Sequence, residues 1–126
     1  MLRAVYEFDR EKAATYLANL GRPIEEKVDR WIFLAIYNDE VHVGYMYYSW
    51  INKTAMQFHI YLSPGVRKRW NRRFLRTIHF FPEILGASLL VAKELTAEAE
   101  ILARSSGWQV DTEGVWSIHL PCKWSL

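Results

Sequence analysis

The sequence predicts one α/β (α+β) domain, a mixed central sheet of about six to seven strands flanked by three to four helices. Three observations carry that expectation. Residues 31–62 contain three consecutive runs rich in β-branched and aromatic residues, separated by the short turns Asn38-Asp39-Glu40 and Asn52-Lys53, the pattern of an antiparallel meander. The apolar spacing then becomes helical, with Trp70, Phe74, Ile78 and Phe81 forming one stripe. A compact apolar run, residues 87–92, precedes a capped helical segment and a terminal hairpin. A chain of 126 residues suits a single domain, 1–126.

Each element has a local reason. Residues 2–8 carry Val5, Tyr6 and Phe8 and read as a first strand. Asp9 is placed to cap a helix whose apolar positions are Ala13, Ala14, Tyr16, Leu17 and Leu20, and Gly21 can close it. Residues 24–28 read as a second short helix or a connector. Strands follow at 31–37, 41–50 and 55–62, with Gly44 marking a bulge or a close backbone approach. On the third, Met56, Phe58, Ile60 and Leu62 share one face, and Gln57, His59 and Tyr61 the other. A helix is expected to begin just past Gly65 and to stop at Pro82. Residues 87–92 are apolar on both faces, which predicts a central strand. Thr96 can cap a helix reaching about Ser105, closed by Gly107. Residues 108–112 and 115–120, joined across Glu113-Gly114, form the final hairpin.

Composition excludes several classes. The single cysteine, Cys122, rules out an intramolecular disulfide and a cysteine-based zinc cage, consistent with a reducing, cytoplasmic setting. No apolar run is long enough to span a membrane, and the charged N-terminal segment lacks a signal-peptide pattern. His42, His59, His79 and His119 fall on different elements, so no metal site is expected. A formal charge of +2 is too small for general affinity to nucleic acid.

The charge is nonetheless concentrated. Arg67, Lys68, Arg69, Arg72, Arg73 and Arg76 supply six of the sixteen basic residues, and without them acidic residues outnumber basic ones. Three uses suit such a cluster: a solvated helix face, a phosphate site at a helix start, or a contact for nucleic acid or an acidic protein. His59, mid-strand with a near-neutral reference pKa, and Glu94, just past the central strand, are the candidate general bases; packing alone also accounts for a strand histidine. Tyr45, Tyr47, Tyr48 and Trp50 crowd one strand as core, as an acceptor groove or as part of a protein interface, and Trp124 near the C-terminus suggests docking onto some surface.

Two segments, 58–75 and 103–108 with the hairpin after it, resemble the GNAT (Gcn5-related N-acetyltransferase) family, and the shared layout runs from Trp31 onward. The resemblance implies an acyl-CoA N-acyltransferase fold with acetyl-CoA as cofactor. It assigns cofactor binding to Tyr61, Leu62, Arg67, Lys68, Arg69, Trp70, Asn71, Arg72 and Arg73, with the pantetheine arm between splayed strands 55–62 and 87–92. His59 or Glu94 would then be catalytic. Trp70 and Arg72 stand where the family has loop glycines, Ala103 where many members carry a tyrosine acid, and Thr96 where an asparagine is usual.

The basic, glycine-poor version of the loop, from Gly65 to Arg73, is similar to that of short GNAT-like proteins of tailed bacteriophages that act in head assembly or inside the virion. That likeness implies a degenerate acyltransferase used in virion assembly or structure. Its partners would be phage structural proteins or further copies of itself, in the host cytoplasm or the virion. The alternatives are an active acetyl-CoA-dependent N-acetyltransferase with an arginine-rich pyrophosphate loop, and a nucleic-acid-binding protein using residues 67–76.

Overall fold

The computed structural model describes residues 1–24, 27–66 and 70–125. Its elements run β1 (Leu2–Glu7), α1 (Arg10–Asn19), β2 (Ile32–Asn38), β3 (Val41–Trp50), β4 (Ala55–Leu62), α2 (Arg72–Ile84), β5 (Leu89–Ala92), α3 (Ala97–Ser105), β6 (Gln109–Val110) and β7 (Trp116–His119). The seven strands form one sheet in the order β1-β2-β3-β4-β5-β7-β6. Among the described residues only the β4–β5 pair is parallel; the other neighbours are antiparallel.

Strand alternation divides the interior into two layers. Leu34, Met46, Tyr48, Met56 and Phe58 pack with Phe74 and Ile78 of α2. Phe33, Ala35, Tyr45 and Tyr47 pack with Ala13 and Leu17 of α1. Asp9 caps α1 by accepting from Lys12 N–H at 3.0 Å, and Thr96 caps α3 by accepting from Ala99 N–H at 3.2 Å, as their positions predict. Gly44 satisfies both of its expectations. The β2–β3 register shifts between Ile36 and Tyr37, next to it, and a Cβ on Gly44 would lie 1.9 Å from Tyr61 O on β4.

Several expectations are corrected. α2 does not begin just past Gly65, which lies in a short 3₁₀ turn, Pro64–Val66. The helix starts at Arg72 because Asn71 is extended (φ −128°) and accepts from Phe74 N–H at 2.8 Å, so Trp70 precedes the helix instead of opening its stripe. Residues 67–69 lie outside the described residues. Pro82 does not stop α2 but sits within its last turn. The carbonyl that Pro82 cannot serve, Ile78 O, accepts from the Tyr48 hydroxyl at 2.8 Å. Where a helix or connector is expected at 24–28, the chain makes a 3₁₀ turn at Val28–Arg30, and residues 25 and 26 lie outside the described residues. The last strands are shorter than their apolar runs: β5 begins only at Leu89, β6 spans Gln109–Val110 and β7 spans Trp116–His119. Trp124 docks as expected, and the surface is this chain's own: its ring stacks on His79 at 6.3 Å. Among the described residues no helix is long and apolar enough to cross a membrane.

Candidate functional site

The sheet opens between its two parallel strands. β4 and β5 are paired at only three positions, Ala55↔Leu89, Met56↔Leu90 and Gln57↔Val91. Beyond Gln57, β4 continues to Leu62, whereas β5 ends at Ala92. Glu94 then takes a left-handed conformation (φ 55°), which turns the chain toward α3. A notch remains beside residues 58–62, bounded by α3 on one side and the approach to α2 on the other.

Toward α2, the notch is largely filled. Trp70 lies across it with Ile60, Leu95, Ala99 and Leu102, and the cavity left there measures about 50 Å³. Trp70 is half-buried, its ring 5.5 Å from Phe74, and its indole Nε1 is buried without a hydrogen-bond partner among the described residues. The floor beneath is rigid. His79 donates from Nδ1 to Leu75 O at 2.7 Å and accepts at Nε2 from Trp108 Nε1–H at 2.9 Å, which selects one neutral tautomer. Burial pushes this imidazole below its ordinary value.

Toward α1, the notch is polar. His59 and Glu94 line one cavity there with Arg22, Lys93 and Thr96. His59 is stacked on Tyr47 at 5.3 Å and meets Trp31 edge-on at 5.4 Å, so its ring plane is set by packing. A larger cavity, about 310 Å³, adjoins it and is lined by Arg30, Trp50, Gln57, His59 and Lys93. Farther along β3, the Tyr45 hydroxyl donates to Glu7 Oε1 at 2.8 Å, and burial together with that carboxylate raises its pKa far above the ordinary phenol value.

The structure thus brings together some of the residues singled out from sequence and separates others. His59 and Glu94, 35 positions apart in the numbering, share a cavity. Tyr61, Leu62 and Trp70 border the notch. Asn71 is the α2 cap, also donating from Nδ2 to Leu2 O at 3.3 Å. Arg72 and Arg73 are exposed on the first turn of α2, and Arg73 lines a different cavity, beside β1 with Leu2 and Phe74. Arg67, Lys68 and Arg69 lie outside the described residues. Sequence reasoning missed Arg22, Arg30 and Lys93, which become neighbours of His59 only through the sheet; no spacing in the chain signals them. Among the described residues no group of three or more histidine, cysteine or acidic side chains is arranged to hold a metal ion.

Comparison with known proteins agrees with this geometry. No family model matches the chain, and no curated protein matches it either. Solved structures do. An IAA acetyltransferase from Bacillus cereus superposes with a TM-score of 0.76 at 12% identity, over 95% of this chain and 100% of that one. The ribosomal-protein-S18-alanine N-acetyltransferase of Escherichia coli gives 0.68 at 14% identity, over 95% and 94%. The Campylobacter jejuni N-acetyltransferase PseH, in complex with acetyl coenzyme A, gives 0.57 at 14% identity, over 95% and 98%. Another match, to a Staphylococcus aureus structure, is described as an acetyltransferase of the GNAT family. Identities this low carry the fold alone. The chain has the GNAT acetyltransferase fold.

Proposed function

We propose that this chain is a bacteriophage protein of GNAT fold, a degenerate acyltransferase that serves in virion assembly or structure. The observation that carries the degenerate part is Trp70. It occupies the notch that would have to receive a pantetheine arm and leaves about 50 Å³, well under the roughly 300–1,000 Å³ of ordinary ligand sites. The residues present do not fit acetyl-CoA as they stand. Ala103, at the position of the family's usual tyrosine acid, is buried beside Trp108 and offers no proton. The phage assignment is supported by the basic, glycine-poor segment from Gly65 to Arg73.

A second reading, an active acetyl-CoA-dependent N-acetyltransferase, is favoured by His59 and Glu94 lining one cavity. It requires Trp70 to leave the notch, so that Tyr61, Leu62 and the arginines from Arg67 to Arg73 could hold the cofactor. A nucleic-acid role for residues 67–76 is supported by the exposure of Arg72, Arg73 and Arg76.

Calorimetric titration with acetyl-CoA separates the first two, since a ligand that binds only the native state must also raise its melting temperature. No heat and no shift at ~1 mM ligand is the expected result; saturable binding would overturn the degenerate reading. Mass spectrometry of purified virions tests the assembly role, and the chain's absence from both virions and assembly intermediates would refute it. Retention on duplex DNA that falls steeply with salt would instead support the nucleic-acid reading.

A further inference from the structure

β1 ends the sheet, and among the described residues no strand lies on its outer side. Asp39 N–H donates to Met1 O at 3.2 Å, and Leu2 is set opposite Asn38. Antiparallel ladders alternate inward and outward backbone groups, so Arg3, Val5 and Glu7 bond toward β2 while Leu2, Ala4 and Tyr6 turn theirs outward. Leu2 O is served by Asn71 Nδ2. The Leu2 N–H and both backbone groups of Ala4 and Tyr6 remain, three donors and two acceptors along a short edge among the described residues.

Apart from Arg3 and Glu7, the side chains do not blunt that edge. Val5, Tyr6 and Phe8 are 43%, 39% and 87% exposed, and the Tyr6 and Phe8 rings lie 4.6 Å apart. Exposed edges of this kind ordinarily carry lysine, proline or a bulge. At the other end of the same strand is a cavity of about 530 Å³, lined by Leu2, Ala4, Arg73, Phe74 and Thr77.

We propose that this edge is a homodimer interface, in which β1 pairs antiparallel with β1 of a second copy about a twofold axis at Val5. Ala4 then exchanges two hydrogen bonds with Tyr6 of the second copy, and the symmetric pair does the same. Arg3 faces Glu7 of the other chain on both sides of the axis, an opposite-charge cross-strand pair. Leu2 faces Phe8 of the second copy, which brings that exposed ring to the cavity beside Leu2 and Phe74. The adjacent registers also keep the outward groups aligned. Centring on Ala4 sets Arg3 against Val5; centring on Tyr6 sets Val5 against Glu7 and moves Arg3 opposite Asp9, well beyond the last strand residue, Glu7. Charge and shape therefore choose the Val5-centred one. The pairing does not depend on whether the notch binds acyl-CoA.

Sedimentation velocity across a concentration series reads the outcome. At ~100 μM the wild-type chain is expected to run at twice the monomer mass. Arg3→Glu and Phe8→Lys each weaken the dimer by about tenfold or more without changing the circular dichroism spectrum, and Arg3→Lys retains it. Ala4→Pro removes an outward donor while leaving the bonds to β2, and is expected to leave monomer. A monomeric wild type, or a dimer that Phe8→Lys leaves intact, overturns the proposal.

Discussion

The hydroxyl of Tyr48 on β3 donates to the carbonyl of Ile78 in α2 at 2.8 Å, and that carbonyl has no helical donor because the residue four positions on is Pro82. The strand thereby supplies what the proline removes. Both groups are buried, and burial raises the Tyr48 phenol well above its usual pKa, so the group stays a donor. Tyr48→Phe is expected to cost about 1–3 kcal/mol by leaving Ile78 O unserved. In a Pro82→Ala background, where the substituted residue offers a backbone N–H, the same change should cost less than ~1 kcal/mol. Urea unfolding of the four proteins in the cycle measures the difference, and simple additivity would show that the hydroxyl does not serve this carbonyl.

His79 makes stability depend on pH. Its folded pKa lies below the unfolded value because it is buried, so below about pH 6.5 the unfolded chain takes up a proton that the native site resists. Stability from this residue is fully present above that pH and is lost as pH falls toward the folded pKa. A proton on Nε2 would also oppose the Trp108 indole N–H that now donates to it. Thermal melts between pH 7.5 and pH 5 are expected to fall for the wild type and to flatten in His79→Gln.

Gly44 is held by contact. A methyl group there would meet Tyr61 O at 1.9 Å across the β3–β4 ladder, and because the obstructing atoms are β4 backbone there is little room to yield. Gly44→Ala is expected to destabilise by about 1–3 kcal/mol or more, seen as a lowered melting temperature.

Trp70 is the plug of the notch. Trp70→Ala should destabilise the fold by an amount on the order of 1–3 kcal/mol through lost burial. It should also enlarge the cavity between Ile60 and Leu102. If the plug alone blocks the cofactor, acetyl-CoA raises the melting temperature of this variant but not of the wild type; no shift in either would mean that the loop, too, lacks affinity.

Asn71 joins the start of α2 to β1 through two hydrogen bonds, one to Phe74 N–H and one to Leu2 O. Asn71→Ala is expected to cost about 1–2 kcal/mol, and Asn71→Asp, which keeps the cap but not the amide donor, less. Hydrogen exchange should localise the added opening to the first turn of α2 and the start of β1.

The meander is legible in the sequence because β2, β3 and β4 are rich in β-branched and aromatic residues and their turns are short, so neighbours in sequence are neighbours in space. The caps at Asp9 and Thr96 are legible for the same reason, each bonding an amide three residues on. The start of α2 is not, because arginines and a tryptophan suit a helix as well as an extended approach; Asn71 decides between them. Pro82 reads as a helix stop because the donor that makes it tolerable comes from Tyr48, 34 positions earlier in the numbering. The basic cluster is visible as charge, but nothing in its spacing tells that Arg73 lies on the β1 side, away from the notch.

Local chemistry in the sequence determined the elements, their order and the two-faced strands, since propensity, capping and alternation act within a few residues. Tertiary structure alone decided that β4 and β5 separate after three pairs, that Trp70 closes the gap, and that Arg22, Lys93, His59 and Glu94 meet around one cavity. Those outcomes depend on how much apolar surface each helix must cover, a balance summed over the whole sheet and not written in any one stretch of it.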